Sequence, residues 1–356
     1  MTKISYIPSS KSKANLGYDK RNILLYSKLS NSKIDEFIYN DNSDIIILPP
    51  SFDPTDLSIF NLKNKKIIYQ LVDDYLSVST FSFKNIFRGV INFIIGKGKK
   101  ICFNYKKQQE NFCKLSDAVI CASEEQKKKI EKFNQNCHIF FEGNFHISNA
   151  KNNKSIKSDI TRLVWEGRAE NLNNLSIVSD AFRKLSKKYK IELHIISDFD
   201  FQRLVFFKNS SIKLLKKIFG DLFQLNTTFK KSNVFFHQWN KDYVSSVIKS
   251  CDIAIIPLNT KDQFLFGKSM NKLILMWRNE MIALTSPITS YKNLSKSIEI
   301  DFCCKNSDEW FTKIENIILN KENKDVYLEK IKKIIDGQYS EKKFLEQWDK
   351  IIHLVK

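Results

Sequence analysis

Residues 247–277 read VIKSCDIAIIPLNTKDQFLFGKSMNKLILMW, the pattern of a helix end, a buried strand, a short loop and a second helix. Residues 252–256 (DIAII) form a short apolar run that Pro257 stops, as is typical of a central strand in a parallel sheet. Beyond the loop, apolar residues recur at helical spacing from Leu273. The stretch therefore predicts one strand–loop–helix unit of an α/β domain.

The loop ends in Gly267, Lys268 and Ser269, where the second helix is expected to begin. At a helix start beyond the carboxyl end of a buried strand, backbone N–H groups, the helix dipole and an ammonium all favour an anion. A phosphate site is one interpretation. An ordinary helix N-cap with an exposed lysine explains the same three residues equally well.

The composition indicates a folded, basic protein. A chain of 356 residues favours two domains over one, and 42% hydrophobic residues suffice for buried cores. The formal charge of +19 indicates contact with an anionic partner, which could be nucleic acid, a phospholipid surface or a phosphorylated small molecule. A solvated lysine-rich surface accounts for part of this charge, so charge alone does not select among them.

The cysteines and the termini bear on the compartment. The cysteine count is seven, which is odd, and no CxxC pair occurs, so buried thiols in a reducing cytosol are expected rather than disulfides or a zinc site. The N-terminus lacks the apolar core of a signal peptide, and no run approaches the roughly 18 apolar residues that span a bilayer. A cytoplasmic location is predicted. A peripheral position on the inner face of the cell membrane is a second, narrower expectation.

Strands alternate with helices through the first half, as in a doubly wound parallel sheet. Polar clusters follow the predicted strands, and these ends share the sheet edge at which such sheets bind ligands. The strands are predicted at residues 3–7, 44–48, 66–72, 118–122 and 138–141. The helices are predicted at residues 22–29, 108–115 and 124–133.

The alternation stops at residues 149–159 (NAKNNKSIKSD), which read as a linker, and then restarts. Strands are predicted at residues 162–165, 192–196, 234–236, 253–256 and 281–284. Helices are predicted at residues 175–189, 242–249, from Lys268, and at 308–319, 327–335 and 342–354. The predicted division is an N-terminal Rossmann-like domain (1–147), a linker (148–160), a C-terminal Rossmann-like domain (161–325) and C-terminal helices (326–356) that pack back toward the N-terminal domain. A ligand cleft is expected between the halves.

Three strand ends carry candidate functional groups. Gly167 and Arg168 follow the strand at 162–165, where the glycine permits close approach of a ligand and the arginine suits phosphate oxygens. A tight turn with a surface arginine is the alternative. Asp73 and Asp74 could act as base, hydroxyl binder or metal ligand, but helix capping is favoured for them and for Glu124.

The sequence lacks the motifs that identify several functional classes. There is no GxSxG, P-loop or GxGxxG, and the five histidines form neither HxxxH nor HExxH. No helix-turn-helix, RRM or zinc-finger pattern accompanies the basic charge. Hydrolase, NTPase, dinucleotide and metal-site interpretations are therefore disfavoured, and no nucleic-acid partner is expected.

Two basic, phenylalanine-rich segments are candidates for contact with a membrane, residues 81–105 and 206–229. Packing of an amphipathic helix on its own sheet explains the first segment at least as well. The density of phenylalanine and lysine favours membrane contact for the second.

The order of motifs along nearly the whole chain resembles the glycosyltransferases of the two-Rossmann-domain (GT-B) fold, close to the retaining family-four enzymes that use nucleotide sugars. The segments that carry the resemblance are IFFEGNF (139–145), LVWEGRAENLNNL (163–175), NVFFHQWNKDYVSSVIKSCDIAIIPL (233–258) and GKSMNKLILMW (267–277). The last is similar to a donor-site helix written GKSxNKLxExW in some surface-polysaccharide enzymes.

The resemblance implies a function and a set of site residues. The implied reaction moves a sugar from a nucleotide-diphosphate sugar to a lipid-linked or oligosaccharide acceptor in the synthesis of lipopolysaccharide, capsule or another surface glycan. It implies retention of the anomeric configuration, and neither a metal nor a tightly bound cofactor is expected. An anionic membrane surface is a further candidate partner.

The implied donor-binding residues are Gly167, Arg168, Gln238, Trp239, Gly267, Lys268, Ser269, Asn271 and Lys272. The implied catalytic residues are Asp73, Asp74, Arg168 and Lys268, and Gly17 and Glu124 are placed on the acceptor side.

The chain departs from the family pattern at positions that usually carry acids. Phe264 and Lys272 stand in place of two glutamates, and Leu275 stands in place of the glutamate of the variant motif. Asn279 and Met281 replace a glycine and a proline. A catalytically inactive GT-B domain that binds a partner or serves as a scaffold therefore remains an alternative function, and a nucleic-acid-binding protein is another.

Overall fold

A computed structural model describes most of the chain. The described residues are 2–10, 17–38, 42–62, 64–77, 83–96, 98–148, 159–203, 207–223, 233–262, 265, 267–320 and 323–356. Most of the predicted linker, Phe264, and parts of the two segments proposed for membrane contact lie outside them.

The chain forms two compact units. Unit 1 comprises Met1–Gly143, Asp262–Met270 and Tyr339–Lys356, and unit 2 comprises Asn144–Lys261 and Asn271–Gln338. Residues 262–270, which the sequence assigns to the C-terminal domain, thus make their contacts with unit 1. The predicted domain boundaries otherwise stay predictions.

Unit 1 is built on a six-stranded parallel sheet with the order β2-β1-β3-β4-β5-β6. The strands are β1 (Ile4–Tyr6), β2 (Ile34–Glu36), β3 (Ile45–Leu48), β4 (Lys66–Leu71), β5 (Ala118–Cys121) and β6 (Cys137–Ile139). Five were predicted and are confirmed to within about two residues, because each is a short apolar run between polar groups. The edge strand β2 was missed because its sequence, IDE, buries only Ile34.

The helices of unit 1 cover this sheet. They are α1 (Gly17–Arg21), α2 (Ile23–Ser30), α3 (Phe83–Ile94), α4 (Tyr105–Leu115) and α5 (Glu124–Ile130). The core between α4 and β4 centres on Phe112 and Tyr69, whose ring centroids are 4.7 Å apart at an edge-to-face angle. The Tyr69 hydroxyl donates to Oε1 of Gln109 at 2.8 Å, so the buried phenol has a hydrogen-bond partner.

Unit 2 is built on a five-stranded parallel sheet with the order β11-β8-β7-β12-β13 and has a separate antiparallel hairpin, β9-β10. The strands are β7 (Thr161–Glu166), β8 (Ile191–Ser197), β9 (Asp200–Arg203), β10 (Phe207–Ser210), β11 (Val234–Gln238), β12 (Ile253–Ile256) and β13 (Ile282–Thr285). The α/β class with two parallel sheets is therefore confirmed.

The helices of unit 2 pack on this second sheet. They are α6 (Ser176–Lys188), α7 (Ser211–Phe219), α8 (Val244–Lys249), α9 (Asn271–Arg278), α10 (Thr289–Lys296), α11 (Ser307–Leu319) and α12 (Asn323–Gln338). The last helix, α13 (Glu341–Val355), belongs to unit 1, where Trp348 packs on Tyr26 at 5.7 Å. The Tyr26 hydroxyl also donates to Asp349 at 2.6 Å.

One local expectation is corrected. The helix predicted from Lys268 begins at Asn271, because Gly267 lies in a turn and residues 268–270 are irregular. In the described part of the second phenylalanine-rich segment, α7 directs Leu215 and Phe219 into the core of unit 2, with Phe219 6.0 Å from Phe182.

All seven cysteines are buried free thiols, as the sequence predicts. None of the helices formed by the described residues is both long enough and apolar enough to cross a membrane.

A histidine pair joins β8 to β11 and makes the stability of unit 2 depend on pH. Nδ1 of His194 lies 2.9 Å from Nε2 of His237, and the rings are stacked 5.2 Å apart. Burial lowers the pKa of His194, although Glu192 acts in the opposite direction, and burial and His194 lower the pKa of His237. Below a pH of about 6.5 the unfolded chain therefore binds more protons than the folded chain.

We accordingly expect the free energy of unfolding to be nearly constant between about pH 7 and pH 8 and to fall as the pH drops below about 6.5. Urea denaturation between about pH 8 and pH 5.5, followed by tryptophan fluorescence, measures this. A His237→Gln variant should lose less stability on acidification than the wild type, whereas His353→Gln, an exposed change on α13, should behave as the wild type. Equal acid sensitivity of all three proteins would contradict the assignment.

Candidate functional site

The order of strands in unit 2 reverses between β7 and β12. From β7 the chain builds outward to β8 and β11, and then returns to the other side of β7 for β12 and β13. Open α/β sheets bind ligands outside the carboxyl ends of the strands at such a reversal. Glu166 ends β7, so Gly167 and Arg168 stand at this position.

Gly167 is held in place by the neighbouring strand β8. Its N–H donates to the carbonyl of Ile196 at 3.1 Å, and its carbonyl accepts from the buried Ser197 hydroxyl at 2.7 Å. A Cβ at this position would lie 2.5 Å from Nζ of Lys272 and 2.9 Å from the ring of Trp165. The glycine is therefore required by close packing inside unit 2, whether or not a ligand is bound.

Lys272 occupies the space that Gly167 leaves open. From the first turn of α9 its ammonium donates to the carbonyl of Glu166, lies 3.8 Å from the Glu166 carboxylate and sits 5.1 Å above the ring of Trp165. These contacts fix the start of α9 against the end of β7. A positive charge is thus anchored at the strand reversal, next to the residue that precedes Arg168.

Arg168 extends outward from the same turn. Its side chain is 80% exposed and pairs with Glu170 at 2.8 Å. A surface ion pair of this kind contributes about 0–1 kcal/mol, so an incoming phosphate can replace the carboxylate at little cost. A guanidinium also offers the two parallel N–H groups that match phosphate oxygens.

The carboxyl end of β11 adds polar and aromatic groups to this edge of unit 2. Gln238 accepts from the N–H of Phe199 at 3.0 Å and donates to Asp198 at 3.3 Å. The N–H of Trp239 donates to the carbonyl of Ser197 at 2.9 Å, so one serine links the ends of β7, β8 and β11.

Exposed rings accompany these hydrogen bonds. Trp239, Tyr243 and Phe199 are all exposed, and the Tyr243 hydroxyl donates to the carbonyl of Gln238 at 2.6 Å. Rings held by polar backbone contacts at a sheet edge are suited to stacking on a planar ligand. Neither Tyr243 nor Phe199 was predicted as a site residue. Phe199 follows a predicted strand and Tyr243 lies in a predicted helix, and only the structure shows that their rings remain exposed.

The predicted loop residues 267–269 are found in unit 1. The carbonyl of Gly267 accepts from the buried hydroxyl of Ser123 at 3.1 Å, and a Cβ on Gly267 would lie 2.5 Å from Oδ2 of Asp74. The Asp74 carboxylate is fully buried and is paired with Lys129 at 2.9 Å and with Ser77. Asp74 therefore holds this segment through packing, in a position where its side chain is closed to solvent.

The remaining loop and capping residues take ordinary local positions. Lys268 and Ser269 are half-buried, and Asn271 is the first residue of α9. Ser123 caps α5 by accepting from the N–H of Gln126. Glu124 is exposed in the first turn of this helix, where a carboxylate favours the helix dipole.

A second group of polar side chains lies at the carboxyl edge of the unit 1 sheet. The hydroxyl of Tyr18, which follows Gly17 in α1, donates to Oε1 of the buried Gln70 at 2.7 Å. Burial, with the nearby charges of Glu142 and Asp73, raises the pKa of Tyr18 well above its usual range, so this phenol keeps its proton.

An ion pair borders this group, since Arg21 lies 2.6 Å from Glu142. Neither Tyr18 nor Gln70 was predicted from the sequence as a site residue. The available signal was Gln70 itself, a polar residue within an otherwise apolar strand (KIIYQL).

Within the described part of the chain, no three His, Cys, Asp or Glu side chains are grouped so that they could hold a metal ion. Among the described side chains at the strand reversal of unit 2, the guanidinium of Arg168 and the ammonium of Lys272 are cations that could meet an anion.

The sequence matches no protein-family model and no curated protein. Solved structures nevertheless share its fold. A Rickettsia africae glycosyltransferase is 11% identical with a TM-score of 0.59, covering 100% of this chain and 98% of its own. An Escherichia coli trehalose-6-phosphate structure bound with UDP-2-fluoro glucose is 12% identical with a TM-score of 0.59, covering 96% of this chain and 78% of its own.

TarM is 15% identical with a TM-score of 0.57, covering 86% of this chain and 54% of its own. The chain thus spans about half the length of TarM. A Staphylococcus aureus TarM mutant was solved with fondaparinux, alpha-GlcNAc-glycerol and UDP. These likenesses show that the two units have the GT-B fold of two Rossmann-like domains.

The contact between Gly267 and Asp74 leads to a direct prediction. A Gly267→Ala change places a methyl group against a buried carboxylate that Lys129 and Ser77 hold, and should destabilise the protein by about 1–3 kcal/mol. Gly337→Ala is the matched control, since a Cβ there meets nothing within 4 Å and the residue lies in α12. The control should be as stable as the wild type or slightly more so.

Thermal and urea unfolding of the three proteins measure the difference. Equal stability of Gly267→Ala and wild type would show that the segment does not need this close approach.

Proposed function

We propose that the protein is a glycosyltransferase that moves a sugar from a nucleotide-diphosphate sugar to an acceptor hydroxyl. The observation that carries the proposal is the strand reversal of unit 2, where Gly167, Arg168 and Lys272 follow or contact the end of β7. The GT-B fold, shared with structures solved with UDP or UDP-2-fluoro glucose, supports the same function.

The donor is proposed to lie along the carboxyl edge of the unit 2 sheet. The diphosphate binds the exposed guanidinium of Arg168, and the ammonium of Lys272 adds a fixed positive charge next to it. The base stacks on Trp239 or Tyr243, which lie beyond the end of β11. A planar base and a diphosphate thus meet the two kinds of group, aromatic and cationic, that this edge presents.

Charge development on the leaving group determines the chemistry. The bond between the anomeric carbon and the diphosphate oxygen breaks, the acceptor oxygen bonds to the same carbon, and the diphosphate departs with an added negative charge. The proton of the acceptor hydroxyl passes to the departing diphosphate or to water. Cations held in position before the reaction stabilise that charge without reorganising. Retention of configuration and independence of a metal ion come into the proposal from the family resemblance.

Lys268 is the other proposed phosphate ligand. It follows Gly267, whose backbone is fixed by Ser123 and by the close approach to Asp74. Asp74 then acts as a positioning residue for this lysine. Its buried and paired carboxylate is poorly placed to contact substrate.

The acceptor is proposed to bind at the polar edge of unit 1. Asp73 is only half-buried, so its carboxylate can accept a hydrogen bond from a sugar or glycerol hydroxyl. The phenol of Tyr18 stays protonated and donates its hydrogen bond to Gln70, which leaves its oxygen able to accept a second bond. A lipid-linked or oligosaccharide acceptor in cytoplasmic surface-glycan synthesis fits this chemistry. The TarM complex with alpha-GlcNAc-glycerol is consistent with such a class.

A catalytically inactive binding or scaffold protein is the second candidate, and Leu275 is the observation that favours it. The side chain at this position, a glutamate in the variant motif, is apolar and buried within α9. In the family that the chain resembles, this glutamate is often assigned to the ribose of the donor. The carboxylate of Glu166 lies 3.8 Å from Lys272 at the strand reversal, and we propose that it binds the ribose in an active enzyme.

A thermal-shift screen against UDP, GDP, CDP, ADP and dTDP sugars tests the proposal. A donor that binds only the folded state at about 100 times its dissociation constant adds roughly 2.7 kcal/mol of stability, which raises the melting temperature. We expect one nucleotide class to stand out. The free nucleoside diphosphate should give most of the shift, because the proposed contacts are to base and phosphates.

The Arg168→Ala variant tests the assignment of the phosphate site. Removing a charge-assisted contact should weaken donor binding by about 10–100-fold, equivalent to 1.5–3 kcal/mol, with the unliganded melting temperature unchanged. Arg183→Ala, which removes an exposed arginine from α6, is the control and should bind donor as the wild type does. Full donor affinity in Arg168→Ala would exclude this residue from the site.

A further inference from the structure

Large apolar side chains are concentrated on one part of the surface of unit 1. Phe87, Phe93 and Ile94 of α3 are 56%, 41% and 71% exposed, and Ile101 and Phe103 in the segment after the helix are 51% and 68% exposed. We call these five residues the α3 surface. Scattered exposed leucines need no explanation, but a cluster of phenylalanine and isoleucine on neighbouring segments indicates an interaction site.

The backbone brings the two parts of the α3 surface together. Gly96 has a φ of +68° and its N–H donates to the carbonyl of Phe93, which ends the helix, and the N–H of Gly98 then donates to the carbonyl of Asn92. The chain thereby turns back along α3. It meets the helix at Gly89, where a Cβ would overlap the carbonyl of Cys102.

The flanking residues are exposed at this crossing. Cys102 is buried against Gly89, whereas its neighbours Ile101 and Phe103 are exposed. On α3, Phe87 and Ile94 are seven residues apart and so share one stripe of the helix.

The stretch of sequence that contains the α3 surface carries only basic charged residues. Residues 75–109 contain no Asp or Glu. The basic residues of this stretch are Lys84, Arg88, Lys97, Lys99, Lys100, Lys106 and Lys107. Lys99 pairs with Asp56 at 2.8 Å, whereas Lys100 and Lys107 are exposed beside the apolar residues. Exposed phenylalanine and isoleucine flanked by lysine are characteristic of a surface that enters the headgroup region of an anionic bilayer.

We propose that the α3 surface docks unit 1 on an anionic lipid membrane, with the apolar residues entering the interface and the lysines meeting acidic headgroups. A second copy of this chain fits less well, because two like-charged basic surfaces would repel. Binding of a nucleic acid would not explain why the apolar side chains of Ile94 and Ile101 are exposed. The proposal rests on unit 1 alone and holds whether or not the protein transfers sugar.

Vesicle flotation of the full chain tests the proposal. The protein should float with vesicles of phosphatidylcholine mixed with phosphatidylglycerol, and much less with phosphatidylcholine alone. Added salt should weaken the binding, since it screens the lysines. An Ile94→Glu/Phe103→Glu variant should lose about tenfold or more of the partitioning, because both side chains would have to leave the interface.

A Leu319→Glu/Leu354→Glu variant is the matched control. It changes the net charge equally and replaces two leucines that are 61% and 51% exposed on α11 and α13. It should float as the wild type does, and circular dichroism and melting curves should show that both variants fold. Equal flotation of the two variants, or no flotation of the wild type, would overturn the proposal. So would a wild-type dimer in gel filtration that only Ile94→Glu/Phe103→Glu dissociates while flotation persists, since the α3 surface would then join two copies.

Discussion

The candidate donor site depends on the contact between the ammonium of Lys272 and the end of β7. The ammonium fits there because Gly167 has no side chain. It ties the first turn of α9 to the last carbonyl of β7, at the point where the sheet of unit 2 reverses its strand order. A Cβ at position 167 would lie 2.5 Å from Nζ of this lysine and 2.9 Å from the ring of Trp165, so the ammonium would have to move. The last carbonyl groups of parallel strands lie at one edge of the sheet. One lysine can therefore donate a hydrogen bond to such a carbonyl and also place a positive charge at this edge. Arg168, one residue further on, extends that charge into solvent.

The fold could be predicted from the sequence because its central strands are short apolar runs stopped by polar residues or proline. Residues such as 45–48 and 253–256 have no other stable location than the centre of a sheet. The predictions were wrong where local pattern carries no information. β2 has one buried residue, and Gly267, read as the start of a helix, instead packs against Asp74, a residue 193 positions earlier. Such distant contacts cannot be derived from periodicity.

The candidate site could be predicted only in part for the same reason. Arg168, Lys272 and Trp239 follow strands or begin a helix, and their positions at the sheet edge follow from the alternation. Whether a side chain is exposed is decided by packing, and this separates Asp73 from Asp74, which are adjacent in sequence but differ in burial and partners. The two phenylalanine-rich segments show the same effect. Their compositions are alike, yet α7 buries Leu215 and Phe219, whereas α3 and the segment after it expose phenylalanine and isoleucine.

Release of nucleoside diphosphate is the measurement that shows whether this chain transfers sugar from a nucleotide sugar. Purified full-length protein would be incubated with each nucleotide sugar in turn, with and without a lipid-linked glycan extract, and free diphosphate would be measured. We predict that one donor is consumed, faster with the extract, and that Arg168→Ala slows this consumption. If no donor binds or is consumed under any of these conditions, the two units have the fold of a glycosyltransferase without its activity, and the proposed function is wrong.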